Sequence, residues 1–343
     1  MLKTKVLVAP MMDCTDRHCR YFLRLLSPHL GLYTEMLTAA AIVRGDADRW
    51  LRFDPSEHPV GIQLGGSEPA LLGTAARLAT DYGYDEINLN AGCPSERVSD
   101  GAFGACLMKE PRVVADCVAA MQAVTSLPVT VKTRIGVDDR DDYGFLSDFV
   151  GIVADAGCTT FILHARKAYL AGLSPKENRT VPPLRYDVVY RLRRDFPGLR
   201  LIINGGVDTT AGVQGHLAEG LDGVMIGRKA YADPWWLTEV DAAVLSCAGV
   251  PASKSRAEVA MAMADYADQE QQRGTRLHHI SRHLLGLYHG QPGARAWRRS
   301  LTLGAARPDA GADVIRAALA AVESQIRIPG RTDEWQTVDR RAS

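Results

Sequence analysis

Short apolar or β-branched runs, each closed by polar residues or glycine, recur eight times along the first two thirds of the chain. They are Val6–Ala9, Gly31–Met36, Val60–Leu64, Glu86–Asn90, Val129–Thr133, Thr160–Leu163, Leu201–Ile203 and Gly223–Ile226. Between them lie stretches of helical period. In Glu68–Tyr82, the residues Leu71, Leu72, Ala75, Leu78 and Ala79 fall on one stripe, and Pro111–Val124, Tyr143–Ala156 and Thr209–Ala218 repeat the pattern. This alternation predicts an α/β fold of the (β/α)8 TIM-barrel kind. A doubly wound sheet alternates too, but the number of repeats favours the barrel, and no GxGxxG follows the first run.

The strand signal stops near Leu237. Ser255 to about Ser324 reads instead as helices, including Ala257–Gln272, Leu277–Tyr288 and Ala312–Ala321. The expected organisation is a barrel over 1–247, a small all-α C-terminal domain over 255–325, and a polar, frayed tail over 328–343. The boundary falls in Ala248–Lys254, where small residues and Pro251 break the pattern.

Composition adds limits. With 343 residues, 46% of them apolar and 23% charged, the chain suits a globular protein with a large core. Forty basic and forty acidic residues cancel, so bulk charge points to no partner. Seven cysteines without a CxxC pair suit a reduced, cytoplasmic protein better than a disulfide scaffold, and no metal site is expected. The apolar run Val6–Met12 is too short for a signal-peptide core. No segment reaches the roughly 20 apolar residues of a membrane helix. A monomer is expected.

Barrel enzymes carry their chemistry at the C-terminal ends of the strands. Those ends hold Pro10-Met11-Met12, Gln63, Asn90-Ala91-Gly92-Cys93-Pro94, Lys132 with Arg134, His164, Asn204-Gly205-Gly206, and Gly227-Arg228. The last two pieces suggest a phosphate cradle: exposed backbone N–H groups, glycines for close approach, and a guanidinium. The alternative is that the glycines serve tight turns. Lys132 interrupts an apolar strand, so it is either functional or a paired structural ion, since an unpaired buried ammonium is costly. His164 is either a core histidine or part of the site, and Gln63 either a ring partner or a loop cap. Cys93 is the candidate acid. A free thiol has a pKa of about 8.5 and stays protonated at neutral pH unless its surroundings lower that value. Its turn, Asn-Ala-Gly-Cys-Pro-Ser, has little apolar cover, whereas Cys106 and Cys117 read as buried apolar cysteines.

Taken together these motifs resemble the tRNA-dihydrouridine synthases. The resemblance rests on Ala9-Pro10-Met11, Asn90-x-Gly92-Cys93-Pro94, Val131-Lys132-x-Arg134, His164-Ala165-Arg166, Asn204-Gly205-Gly206 and Gly227-Arg228, and covers almost the whole chain. Further segments are similar to the A type of that family: Thr15 to Arg20, Gly172 to Arg179, and Pro292 to Arg299. The resemblance implies that NADPH reduces bound FMN and leaves. A uridine at position 20 or 20a of the tRNA D-loop then flips out and stacks on the flavin. Hydride goes to carbon 6 of uracil and Cys93 protonates carbon 5, with Asn90 holding the uracil edge. It further implies that Pro10, Met11, Met12, Gln63, Lys132, His164, Asn204, Gly205, Gly206, Gly227 and Arg228 bind FMN.

The distribution of charge asks for RNA independently. From Gln271 to Pro308 there is no Asp or Glu, while Arg273, Arg276, Arg282, Arg295, Arg298, Arg299 and Arg307 all fall there. Arg295, Arg298 and Arg299 share a helix face by spacing, and Arg276, His279 and His283 share another. A merely solvated face normally mixes both signs. The long segment after the sixth strand adds Arg166, Lys167, Lys176 and Arg179. Lys176, Arg179, Arg295 and Arg298 are therefore expected to grip tRNA phosphates. Rival readings are an FMN barrel reducing a free pyrimidine, like a dihydroorotate dehydrogenase, a flavin-free phosphate-binding barrel, and an RNA-binding scaffold without activity.

Overall fold

The computed structural model describes residues 2–95, 103–246 and 254–326. Eight parallel strands form one sheet: β1 Val6–Val8, β2 Leu32–Thr38, β3 Val60–Gly65, β4 Glu86–Ala91, β5 Val129–Arg134, β6 Thr160–His164, β7 Arg200–Asn204 and β8 Gly223–Ile226. Their order, β1-β8-β7-β6-β5-β4-β3-β2, brings the first and second strands to the two edges. A bridge between Leu7 and Gly31 joins those edges, with Gly31 N–H donating to Val6 O at 3.0 Å and Val8 N–H donating to Gly31 O at 2.8 Å. The sheet is thereby a (β/α)8 barrel, and every strand read from the sequence is present within two residues of its expected ends.

Helices follow the strands where the apolar stripes place them. Pro69–Asp81, Pro111–Gln122, Tyr143–Asp155 and Thr210–Ala218 correspond to the four predicted helices. Pro69 and Pro111 stand in the first turn, where a missing N–H costs nothing. Asp142 and Thr209 cap the other two by accepting from Phe145 N and Gly212 N. Apolar side chains fill one part of the barrel interior: Leu2, Leu7, Ala9, Tyr33, Ile162, Ile202 and Met225 form a cluster against which Met11 packs. Strand alternation turns Glu86, Asn88 and Asn90 of β4 to one face of the sheet, and Thr130, Lys132 and Arg134 of β5 likewise.

The chain divides into two compact units, one of residues 1–231 with 236–251, the other of 232–235 with 252–343. The boundary read from the sequence lies, Lys254 excepted, outside the described residues, as does the tail. The short segment Ala232–Trp235, which the sequence reading leaves in the barrel, groups with the helical unit. There Arg256 stacks over the Trp235 ring at 4.2 Å.

The helical unit contains Arg256–Gln272, Leu277–Ser281, Ala294–Gly304 and Asp313–Ile326. Ser255 and Glu258 cap the first of these reciprocally. The expected helix Leu277–Tyr288 stops at Ser281 and continues as a 3-10 turn over Arg282–Leu284. Beyond the turn, Gly286 is closely packed: a Cβ there would lie 2.6 Å from Pro234 Cδ and 2.9 Å from Ala232 O. Trp297 is fully buried and donates its indole N–H to Leu284 O at 2.7 Å.

Candidate active site

The strand-end residues meet because the ladder register brings them level. Asn90 pairs with Lys132, Arg134 with His164, and His164 with Asn204 across successive strands. Asn90 Nδ2 donates to Gln63 Oε1 at 2.8 Å, and Lys132 Nζ donates to Asn204 Oδ1 at 3.2 Å. Asn204 Nδ2 in turn donates to Met225 O at 2.7 Å. Gln63 is buried, and its amide is engaged on both sides, by Asn90 and by Asn88.

Asn90 also sets the loop that carries the thiol. Its Oδ1 accepts from Gly92 N at 3.0 Å and from Cys93 N at 2.9 Å. Gly92 crosses so close to β5 that a Cβ would stand 3.1 Å from the Thr133 carbonyl carbon. Cys93 is half-buried, not sealed in the core. It lies close to both Lys132 and Arg134. Of the two cysteines read as buried apolar residues, Cys117 is buried, but Cys106 is half-buried and its thiol donates to Phe103 O at 3.0 Å.

Opposite stands the glycine pair. Gly205 and Gly206 have φ of +115° and +71°, which disfavours any other residue. A Cβ on Gly205 would lie 2.6 Å from His164 Cδ2, and one on Gly206 2.5 Å from Leu184 Cδ1. Tyr186 fixes this turn by donating its hydroxyl to Gly205 O at 2.7 Å. Burial holds His164 well below the ordinary imidazole range, and four cations reinforce the effect: Arg134, Lys132, Arg166 and Arg228. The Arg166 Nε is buried with no hydrogen-bond partner. Bare backbone beside several cations suits a phosphate-bearing anion. Arg228 is exposed and donates to Arg179 O at 3.2 Å. At the first strand's end, Met11 N donates to Thr15 Oγ1 at 3.0 Å, and Arg20, ion-paired with Glu57 at 2.6 Å, holds Thr15 O. Met12 beyond it is 56% exposed, while Pro10, Met11 and Gly227 are half-buried.

Lys132 is pulled down to about 7, first by burial and then by Arg134. The unfolded chain holds this proton up to about pH 10.5, whereas the ligand-free fold releases it near 7. Between those values the unfolded state carries the extra proton, so stability rises with pH. Allowing for the partial exposure of Lys132, the gain from pH 7 to pH 9 is about 1–2 kcal/mol, or about 1.5–3 °C in melting midpoint. We expect calorimetry to show this increment in the ligand-free protein and to find it missing in Lys132→Met. Equal pH dependence in the two proteins would contradict the assignment.

Arg134 has no role assigned from the sequence. It is buried, donates Nε to Gly92 O at 3.1 Å, and donates Nη1 to Lys167 O at 3.0 Å and Asn178 O at 2.8 Å. One guanidinium thus ties the Cys93 loop to the segment after β6. That segment is organised around buried Asn178, whose side chain bonds Tyr169 N at 2.8 Å, Tyr169 O at 2.9 Å and Leu173 O at 3.1 Å. Lys176 and Arg179 on either side of it are exposed. The sequence signal for Arg134 was its position two residues beyond Lys132, on the same face of the strand.

In the helical unit, Arg295, Arg298 and Arg299 are exposed on the helix Ala294–Gly304, and Arg276 is exposed before Leu277–Ser281. Acids from outside the acid-free stretch reach its margins, since Glu270 pairs with Arg273 at 2.8 Å and Asp313 with Arg307 at 3.9 Å. His283, expected on a basic face, is buried and accepts from Arg282 Nε at 3.2 Å. It stands three residues from buried Ile280 and four from buried Leu287, on the apolar side of the segment.

A parallel barrel with a lysine, a half-buried thiol and a positive-φ glycine pair at its strand ends has the layout of a barrel enzyme. The chain belongs to the dihydrouridine synthase family, whose model matches residues 7–323. Forming dihydrouridine is a reduction, so the chain is an oxidoreductase. It is 54% identical to the tRNA-dihydrouridine(20/20a) synthase of Escherichia coli over 91% of this chain and 90% of that one. Relatives of the same name are found in Shewanella oneidensis, 52% identical over 93% and 94%, and in Synechocystis, 54% identical over 92% and 93%. The solved structure of TcOYE with pHBA shares the fold, with a TM-score of 0.52 at 12% identity over 74% of this chain and 91% of that one.

Proposed function

We propose that this protein is an FMN-dependent, NADPH-driven tRNA-dihydrouridine synthase acting at positions 20 and 20a of the D-loop in the cytoplasm. The observation that carries this reading is the placement of Cys93 by Asn90, in register with Lys132 and within one ring of strand ends that also includes the Gly205–Gly206 cradle. The names of the relatives support the substrate and the positions.

The residues fit FMN. Gly205, Gly206 and Arg228 would hold the phosphate, with Asn204, His164, Gly227 and Pro10 to Met12 around the remainder and Lys132 beside the ring. When bound, the flavin supplies the hydride that adds to carbon 6 of uracil. The Cys93 thiol delivers its proton to carbon 5, completing saturation of the double bond. Lys132 offers positive charge where negative charge develops. Asn90 spends its oxygen on the Cys93 loop and one N–H on Gln63, leaving its second N–H for a uracil carbonyl. Lys176 and Arg179 on the barrel, and Arg295 and Arg298 on the helical unit, would hold RNA phosphates. These exposed arginines favour RNA over a free pyrimidine as substrate.

The purified protein should be yellow with one flavin per chain, and should oxidise NADPH on addition of unmodified tRNA, leaving dihydrouridine at positions 20 and 20a. Equal turnover with free uridine or orotate, or a colourless protein that fails to take up FMN, would overturn the proposal.

A further inference from the structure

A buried carboxylate deep in the barrel lies outside the chemistry described so far. Glu86 is 1% exposed. Leu2 N–H donates to its Oε2 at 3.0 Å, Thr130 Oγ1 donates to its Oε1 at 3.0 Å, and the Tyr33 hydroxyl donates to the same oxygen. From Thr130 a single file of side chains runs to the strand ends. Asn88 Nδ2 donates to Thr130 Oγ1 at 2.9 Å, Gln63 Nε2 to Asn88 Oδ1 at 2.7 Å, and Asn90 Nδ2 to Gln63 Oε1 at 2.8 Å.

The direction of this file is set at both ends. The Thr130 hydroxyl has one proton; Glu86 Oε1 at 3.0 Å is nearer than Ile87 O at 3.4 Å and takes it, which leaves the Thr130 oxygen to accept from Asn88 Nδ2. Asn88 then presents oxygen to Gln63, and Gln63 presents oxygen to Asn90. At the far end, the backbone N–H groups of Gly92 and Cys93 require oxygen from Asn90. Reversing any one amide would set N–H against N–H, which is costly in a buried file.

We infer that Glu86 is a positioning residue: through Thr130, Asn88 and Gln63 it fixes the orientation of the Asn90 amide, and so the loop that presents Cys93. The inference rests on the proposed role of Cys93 for its consequence in turnover, but not for its structural part.

Thr130→Val keeps the side-chain shape and removes the hydroxyl, while Thr130→Ser keeps the link. In the flavin-loaded enzyme, amide hydrogen exchange at Gly92 and Cys93 is expected to quicken about tenfold in Thr130→Val and to return to the wild-type rate in Thr130→Ser. Exchange in β6 and β7 stays unchanged. Turnover at saturating tRNA falls about tenfold in Thr130→Val, with KM for tRNA unaltered. Asn88→Leu cuts the file one link nearer the loop, and the same outcome is expected of it if Thr130→Val does not fold. Wild-type exchange at Gly92 and Cys93 in a folded cut variant would overturn the inference, as would Thr130→Ser behaving like Thr130→Val. Faster exchange with undiminished turnover would uphold the file and instead remove Cys93 from the chemistry.

Discussion

Cys93→Ala should retain its fold, its flavin and its grip on tRNA while losing dihydrouridine formation by about 10²–10⁴-fold, the usual worth of a positioned proton donor. The structure explains why the loss should be confined to the chemical step. The loop is held through the backbone N–H groups of Gly92 and Cys93, by Asn90, and through Gly92 O, by Arg134. None of these bonds uses the thiol, so its removal leaves the loop in place. Single-turnover measurement on the reduced enzyme would isolate the step. Cys106→Ala provides the control, since Cys106 is also half-buried but bonds to Phe103 O. Unimpaired turnover in Cys93→Ala, or an equal loss in Cys106→Ala, would rule out Cys93 as the acid.

The second large effect concerns affinity. Replacing Lys176, Arg179, Arg295 and Arg298 together by Ala should weaken tRNA binding about 10²–10³-fold near 0.1 M salt, and lower the slope of log K against log salt by about 3. All four side chains are exposed. Each pair can be removed separately, Lys176 with Arg179 on the barrel unit and Arg295 with Arg298 on the helical unit. Filter binding across a salt series gives both numbers. A weaker affinity with an unaltered slope would mean that these side chains act through shape and not through phosphate contact. Unchanged affinity would remove them from the RNA-binding surface altogether.

The local pattern made much of this visible in advance. Period-two alternation in Val129 to Arg134 marks Thr130, Lys132 and Arg134 as one face, and a lysine on such a face demands explanation. Adjacent glycines at the end of β7 announce backbone that a side chain would block, and both carry positive φ. What the sequence did not convey was partnership across strands. The role of Arg134 depends on carbonyls of Gly92, Lys167 and Asn178, which only the closed sheet brings together. Glu86, Asn88 and Gln63 form one file because of ladder register, and register is a property of the assembled barrel. In the helical unit, apolar spacing over Leu277–Tyr288 predicted an unbroken helix, whereas the helix stops at Ser281 and gives way to a 3-10 turn over Arg282–Leu284. His283, expected on the basic face, is buried beside the apolar stripe.

The pairing of β1 with β8 has a bearing on how the protein is made. Val6 finds its ladder partner at Val224, and the opposite edge meets β1 through the bridge to Gly31. A chain emerging from the ribosome must keep its first strand waiting until nearly the whole barrel has been synthesised. Through that interval the apolar segment Val6-Leu7-Val8, fully buried at the end, lacks its principal partner. Nascent chains stalled before β8 are therefore the form in which this protein should most need a chaperone.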